Sequence, residues 1–316
     1  MATFSGKRVI VFGGAGFVGS HLCERLLADG AAGVVAVDNL CTGAEGNVAH
    51  LGKDARFELV RHDVTQPLSL QGPVDVLFNL ASPASPFDYA KLWLETLRAG
   101  ALGTQHALEL AEKTGAVMLQ ASTSEVYGDP IVHPQVESYT GNVDCTGPRA
   151  VYDEAKRYAE TVVMGFHRHR GVKTRIARIF NTYGPRMRLH DGRVVPAFVS
   201  QALKGQDFTV FGDGSQTRSF CYVTDLVDGL VRLALSDVTD PVNLGNPEER
   251  TIREFAEAVR RAVGDGGKIV EKPLPQGDPK VRRPDITRAK TLLGWAPKVS
   301  LDQGLEATIA YFRAVA

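Results

Sequence analysis

The chain has 316 residues, 44% hydrophobic and 23% charged, an ordinary globular composition with room for one large domain or two modest ones. Its 36 basic and 36 acidic residues cancel, which argues against a nucleic-acid footprint or a polybasic membrane anchor. No apolar run approaches the roughly 20 residues of a membrane span, no signal segment precedes the first strand pattern, and the four cysteines form no C-x-x-C pair. The expectation is a cytoplasmic protein with no metal site and no nucleic-acid or membrane partner.

Arg8-Val9-Ile10-Val11-Phe12 reads as a buried strand. It runs into Gly13-Gly14-Ala15-Gly16-Phe17-Val18-Gly19, which holds G-x-G-x-x-G at Gly14, Gly16 and Gly19. A helix pattern follows with Phe17, Leu22, Leu26 and Leu27. Strand before and helix after is the context in which such glycines let a backbone approach a pyrophosphate. The second strand, Gly33 to Asp38, ends in an acid 19 residues after Gly19. That acid is placed to grip the adenosine ribose hydroxyls, and no arginine follows in Asp38-Asn39-Leu40. NAD is therefore expected over NADP.

A third strand, Arg56 to Val60, leads to Asp63 and Val64. Asp63 either accepts from the adenine amino group or closes a turn. A fourth strand, Asp75 to Ala81, runs into Ser82-Pro83-Ala84-Ser85-Pro86, a stiff loop at the strand end where open parallel sheets bind ligands. Residues 89 to 113 read as one long helix region. A fifth strand, Ala116 to Ala121, ends in Ser122-Thr123-Ser124-Glu125. A loop over 129–149 then precedes a helix carrying Tyr152 and Lys156. Four residues apart, these two share a helix face. An ammonium beside a phenol favours the phenolate, so the Tyr152 pKa is expected below its usual value of roughly 10. A tyrosine so tuned is a base for a sugar hydroxyl.

The helix ends in His167-Arg168-His169-Arg170 before Gly171, a cation cluster that suits a helix C-terminus. A sixth strand covers 172–180. The pattern predicts an α/β fold, a doubly wound parallel (Rossmann) sheet with a smaller C-terminal α/β substrate domain. Residues 1–180 are assigned to the first unit, with 225–245 returning to it. Residues 181–224 and 246–316 are assigned to the substrate domain, where strands shorten and prolines such as Pro275, Pro279 and Pro284 gather.

Together, Gly14-x-Gly16-x-x-Gly19, Asp38, Ser122-Thr123 and Tyr152-x-x-x-Lys156 resemble the extended short-chain dehydrogenase/reductase family of nucleotide-sugar enzymes, over the whole length. Several segments are similar to the UDP-glucuronate decarboxylases within it: Ala81 to Pro86, Ala121 to Pro130, Gly147 to Ala150 with Tyr152-Asp153-Glu154, Asn181 to Arg186, Asp191 to Arg193, and Ser215 to Phe220. Ala155 stands where that family usually has glycine; alanine favours helix, so no functional consequence is expected.

The resemblance implies tightly bound NAD, contacted by Gly13, Gly16, Phe17, Val18, Gly19, Asp38, Asn39, Asp63, Val64 and Ala81, and by Tyr152 and Lys156. It implies Tyr152 as base and acid at the C4 oxygen, Lys156 as its tuner and Thr123 as a hydrogen-bond partner. Arg218 is expected to hold the substrate carboxylate. Glu125 is retained from the dehydratase Thr-Asp-Glu pattern, whereas Ser124 replaces its acid, which argues against dehydration. Pro83 and Ser85 are expected at the sugar, and Asn181, Arg186 and Arg282 at the UDP, Arg282 on the diphosphate. The expected reaction converts UDP-glucuronate to UDP-xylose. Alternatives are release of the 4-keto-pentose, 4-epimerisation, and an NAD-sensing protein without turnover. A homodimer through helices 89–113 and 150–170 is implied as well.

Overall fold

The computed structural model describes residues 3–190, 192–264, 267–273 and 281–315. The sequence features at Asp191, Pro275 and Pro279 lie outside them.

The chain starts with strand β1 (Arg8–Phe12), helix α1 (Phe17–Ala28) and β2 (Gly33–Asp38), then β3 (Phe57–Arg61) and β4 (Val76–Asn79). Helices α2 (Pro86–Lys91), α3 (Trp93–Arg98) and α4 (Thr104–Thr114) lead to β5 (Val117–Thr123). Helix α5 (Ala150–Arg170) and β6 (Thr174–Ile179) follow. These strands, with the late-arriving β11 (Val242–Leu244), form one seven-stranded parallel sheet in the order β11-β6-β5-β4-β1-β2-β3. The order reverses between β1 and β4, the switch point where doubly wound sheets bind ligands. The sheet is the doubly wound parallel sheet that the sequence pattern predicts.

Both sheet faces are covered, so its strands are apolar throughout. On one face Val9, Val11 and Phe78 pack with Leu22, Leu26 and Leu230. On the other, Ile10, Phe12, Leu77 and Met118 pack with Leu108 and Val163. Each fully buried Leu, Ile or Phe side chain contributes about 2 kcal/mol by burial.

After β6 come β7 (Thr182–Tyr183), α6 (Val194–Leu203), β8 (Phe208–Phe211), β9 (Thr217–Ser219) and β10 (Cys221–Tyr222). Then α7 (Val223–Ala234) and β11 (Val242–Leu244) return to the sheet. The chain continues through β12 (Glu249–Thr251), α8 (Ile252–Val263), β13 (Ile269–Lys272), α9 (Thr287–Leu293) and α10 (Leu301–Val315). A second core gathers Phe198, Phe208, Phe220, Phe255, Ile309 and Phe312. Helix α8 begins with a reciprocal cap: Glu254 N–H donates to Thr251 Oγ1 at 3.1 Å, and Thr251 N–H donates to Glu254 Oε2 at 2.8 Å. Ala289 of α9 and the nearby Trp295 pack with the sheet-side core instead.

The single long helix expected over 89–113 is interrupted. It breaks at Leu92, between α2 and α3, and widens into a π-helical turn at Ala99–Gly103 before α4. Packing accounts for the small residues there. A Cβ on Gly100 would sit 2.8 Å from the Ala155 Cβ of α5. The two helices are therefore in close contact at Gly100 and Ala155, the position where the family usually has glycine.

Candidate active site

The cofactor side is built mainly from backbone. Gly13 has φ of 76°, and a Cβ on Gly19 would lie 2.1 Å from the Gly13 carbonyl oxygen. Only glycine fits at either position. No side chain caps α1 at Gly16, so its first-turn N–H groups are available to an anion. Gly13, Gly16, Phe17 and Val18 line a cavity of about 590 Å³ at the sheet's switch point, whereas Gly19 is outside that lining.

Across it lies Asp38, buried at 8% exposure, its Oδ2 taking the Ala15 N–H at 3.0 Å and its Oδ1 the Leu40 N–H at 2.8 Å. Burial raises its carboxyl above the usual value, against the pull of those two bonds. Asn39, Asp63, Val64 and Ala81 also line the cavity. Burial pushes the Asp63 carboxyl up, but hydrogen bonds from Thr65 and Asn39 outweigh it and hold it low. Pro83 and Ser85 form the wall beyond Ala81. Ser85 caps α2, and Asp88 of that helix is paired with Arg188.

The expected reacting residues form a second, closed cluster outside that lining. Thr123 ends β5, and the chain turns at once through Ser124 and Glu125. Tyr152, in the first turn of α5, lies near enough to Thr123 for that hydroxyl to act on its phenol and is 7% exposed. The Tyr89 ring of α2 stacks on it at 5.3 Å. Helix α2 therefore carries cavity-lining Asp88 and, one residue on, the ring that covers Tyr152. Lys156 is buried, 5.8 Å from the Tyr152 ring centroid, and donates to the Ala121 carbonyl at 2.9 Å.

The expectation that Lys156 lowers the Tyr152 pKa is not met by the protein alone. Burial pushes the phenol above its usual value, and the charge of Glu125 adds to this against the pull of the Thr123 hydroxyl. The same burial lowers Lys156 to about 8.

Glu125 is clamped. Arg149 Nη2 donates to its Oε2 at 2.8 Å, and Arg282 Nη1 lies 3.1 Å from its Oε1. Burial opposes ionisation, but Arg282 and Arg149, with help from Arg218, hold the carboxyl below its usual value. Arg282 was expected on the diphosphate. Its side chain is only 3% exposed, and it donates to Ser124 Oγ at 3.2 Å and the Gly128 carbonyl at 3.1 Å. These contacts tie it to the turn after β5. Arg186, also expected at UDP, lines the cavity but is held by α1 through Glu24 at 2.5 Å and Ser20 at 3.3 Å. Arg218, on β9, is half-buried near enough to act on Glu125, and its Nη1 donates to the Thr217 carbonyl. The backbone carbonyl of Asn181 accepts the Cys221 N–H at 2.9 Å, extending the pairing of β7 with β10.

Sequence reasoning gave no role to Arg149, Ser124, Tyr89 or Asp153. Gly147-Pro148-Arg149 just ahead of the helix was the only signal for the first of these.

A glycine-turned Rossmann sheet with Thr, Tyr and Lys gathered beside its dinucleotide cavity defines a short-chain dehydrogenase-type scaffold. The chain belongs to the NAD dependent epimerase/dehydratase family, whose model matches residues 9–245. It is 53% identical to UDP-glucuronic acid decarboxylase 1 of Xenopus tropicalis, over 97% of this chain and 72% of that protein. It is 53% identical to UDP-glucuronic acid decarboxylase 2 of Arabidopsis thaliana, over 98% of this chain and 68% of that protein. Among solved structures it resembles UDP-glucuronic acid 4-epimerase from Bacillus cereus, a complex with UDP-glucuronic acid and NAD. That match has a TM-score of 0.86 and 29% identity, covering 98% of this chain and 100% of the other.

Proposed function

We propose that this protein decarboxylates UDP-glucuronate to UDP-xylose with a bound NAD that is regenerated in each turnover. The observation that carries the reading is the clamped carboxylate: Glu125 lies between Arg149 and Arg282, two residues from Thr123, in a chain 53% identical to named decarboxylases.

The residues fit the cofactor. The Gly13–Gly19 turn has no room for side chains where a pyrophosphate would approach, and Asp38 stands at the ribose position. Gly13, Gly16, Phe17, Val18 and Gly19 would hold the phosphates, Asp38 and Asn39 the ribose, and Asp63, Val64 and Ala81 the remaining cavity wall. When bound, NAD accepts the C4 hydride and returns it, and its pyridinium charge favours the Tyr152 phenolate.

Tyr152 takes the C4 hydroxyl proton as C4 becomes a ketone. The product is a β-keto acid, so the electrons of the breaking bond to the carboxyl carbon flow to the C4 oxygen as CO2 leaves. Thr123 and the Tyr152 hydroxyl stabilise that oxygen. A proton then adds at C5, and C4 is reduced again. Lys156 is assigned to Tyr152 and the nicotinamide ribose. The two arginines exchange the roles the sequence suggested. Enclosed Arg282 is assigned, through Glu125, to the reacting end of the sugar, and half-exposed Arg218 to the UDP. Full neutralisation of the substrate carboxylate would slow CO2 loss, and Arg282, already paired with Glu125, does not supply it. Pro83, Ser85 and Asn181 are assigned to substrate, and the unit formed by 181–224 and 246–316 to covering it.

We also assign a homodimer through helices 89–113 and 150–170, where Trp93, Leu102 and Tyr158 are exposed. Four free cysteines, two of them exposed, fit the reducing cytoplasm. Among the described residues, no helix is long and apolar enough to cross a membrane.

The test is an NMR time course with UDP-glucuronate, with and without added NAD. UDP-xylose is the expected product. UDP-galacturonate would replace this reading with epimerisation, and accumulated UDP-4-keto-pentose would mean the same site with early release.

A further inference from the structure

One buried acid has no task in the proposed reaction. Asp153 follows Tyr152 in the first turn of α5 and is 6% exposed. Its Oδ1 is buried and has no hydrogen-bond partner among the described residues. An ionised carboxylate placed this way lacks the bonds that make a buried charge tolerable. The charges acting on it come from three segments: Glu125 on the turn after β5, Arg149 and Glu154 around the start of α5, and Arg282 ahead of α9. Tyr152 in turn responds to the charges of Asp153, Glu125 and Tyr89.

Two acids thus face two guanidinium groups, and they are not equivalent. Glu125 holds both direct contacts, at 2.8 Å to Arg149 and 3.1 Å to Arg282. Carboxylates sharing one site do not both ionise readily, and the one with a buried, unpartnered oxygen keeps the proton. Burial first, and the Glu125 charge second, push the Asp153 carboxyl up to about 7.

We propose that Asp153 is a positioning residue that carries its proton during turnover. The inference rests on the reaction assigned to Tyr152 above. As a neutral acid, Asp153 leaves Glu125 the sole anion on the Arg149–Arg282 clamp. It also spares Tyr152 a like charge next to the phenolate it must form. Once ionised, Asp153 competes for the two arginines and pushes the phenol further from ionisation. Turnover is therefore lost on the alkaline side of neutrality, beginning about one pH unit below the point at which buried Lys156, at about 8, gives up its charge.

The test compares the protein with Asp153→Asn, which keeps the shape and fixes the neutral state. In the unaltered protein, kcat is expected to fall about tenfold per pH unit above a midpoint near neutrality. In Asp153→Asn the limb is expected to move up to that of Lys156 near 8, so that the ratio of kcat at about pH 6 to about pH 8 drops from more than about 10 to about 2. A merely structural role would scale activity at every pH and leave the limb in place.

A second readout needs no turnover. A carboxyl whose folded pKa is raised stabilises the fold below its unfolded value, and that stability is lost as pH rises through about 7. Melting temperature should therefore fall more between about pH 4 and 7 in the unaltered protein than in Asp153→Asn. An unchanged alkaline limb in the variant, or a melting difference independent of pH, overturns the proposal. If neither protein makes UDP-xylose, the assigned reaction falls and this role with it, while the melting difference still reports where the proton sits.

Discussion

The cofactor cavity and the reaction cluster adjoin each other but are held together differently. The cavity is set by backbone: a left-handed Gly13, a Gly19 pressed against the Gly13 carbonyl, and uncapped helix N–H groups. The cluster is set by long side chains reaching from distant segments, with Glu125, Arg149 and Arg282 meeting across 157 residues of sequence. A backbone-built site tolerates almost no added atom but little depends on charge. A side-chain-built site tolerates shape changes but fails when one charge is removed.

The sharpest contrast comes from one substitution in each half. Tyr152→Phe removes the proton-transfer group while leaving the cavity untouched. Its kcat should drop by about 10²–10⁴-fold, with NAD content of the purified protein unchanged; normal turnover would remove Tyr152 from the chemistry. Gly19→Ala should do the reverse and strip NAD from the protein, because its methyl group would sit 2.1 Å from a backbone oxygen. Full NAD occupancy in that variant would show that the turn can relax.

A smaller effect tests the charge argument. Glu125→Gln leaves two guanidinium groups without their anion and should cost about 3 kcal/mol of stability. The Glu125 carboxyl is held below its usual value by Arg282 and Arg149 against burial. Its stabilisation is therefore present above the unfolded pKa of about 4.3 and lost as pH falls through the lower folded value. Acid unfolding should begin at lower pH with Glu125 than with Gln, and coincident acid transitions would contradict the clamp. Asp38→Asn should weaken NAD binding by about tenfold, the worth of one charge-assisted bond, as measured by titration calorimetry. The least disruptive change, Tyr158→Asp, should shift the protein from dimer to monomer in light scattering with the fold intact; an unmoved mass would place the interface elsewhere.

The same contrast explains what the sequence reveals. The parallel sheet was legible because its strands are short β-branched runs whose pattern survives without context. The glycine turn and Asp38 were legible because their spacing is local. The break at Leu92 and the π-helical turn were not; the turn lies where Gly100 approaches Ala155, a contact between separate helices. The pKa of Tyr152 was misread for a related reason. Helical spacing brings Lys156 near, but burial, which no spacing encodes, decides the direction. Arg282 illustrates the limit most plainly. Its sequence neighbourhood marks it as important, yet only the folded chain places it against Glu125 and Gly128.

The most direct test of this account sets Arg282→Gln beside Arg218→Gln, both purified with their NAD content measured. Single-turnover CO2 release and UDP affinity are then read on each. Arg282→Gln is expected to keep NAD and UDP binding but lose CO2 release, whereas Arg218→Gln is expected to weaken UDP binding first. Intact CO2 release with lost UDP affinity in Arg282→Gln would return that arginine to the diphosphate and contradict the clamp as the seat of the chemistry.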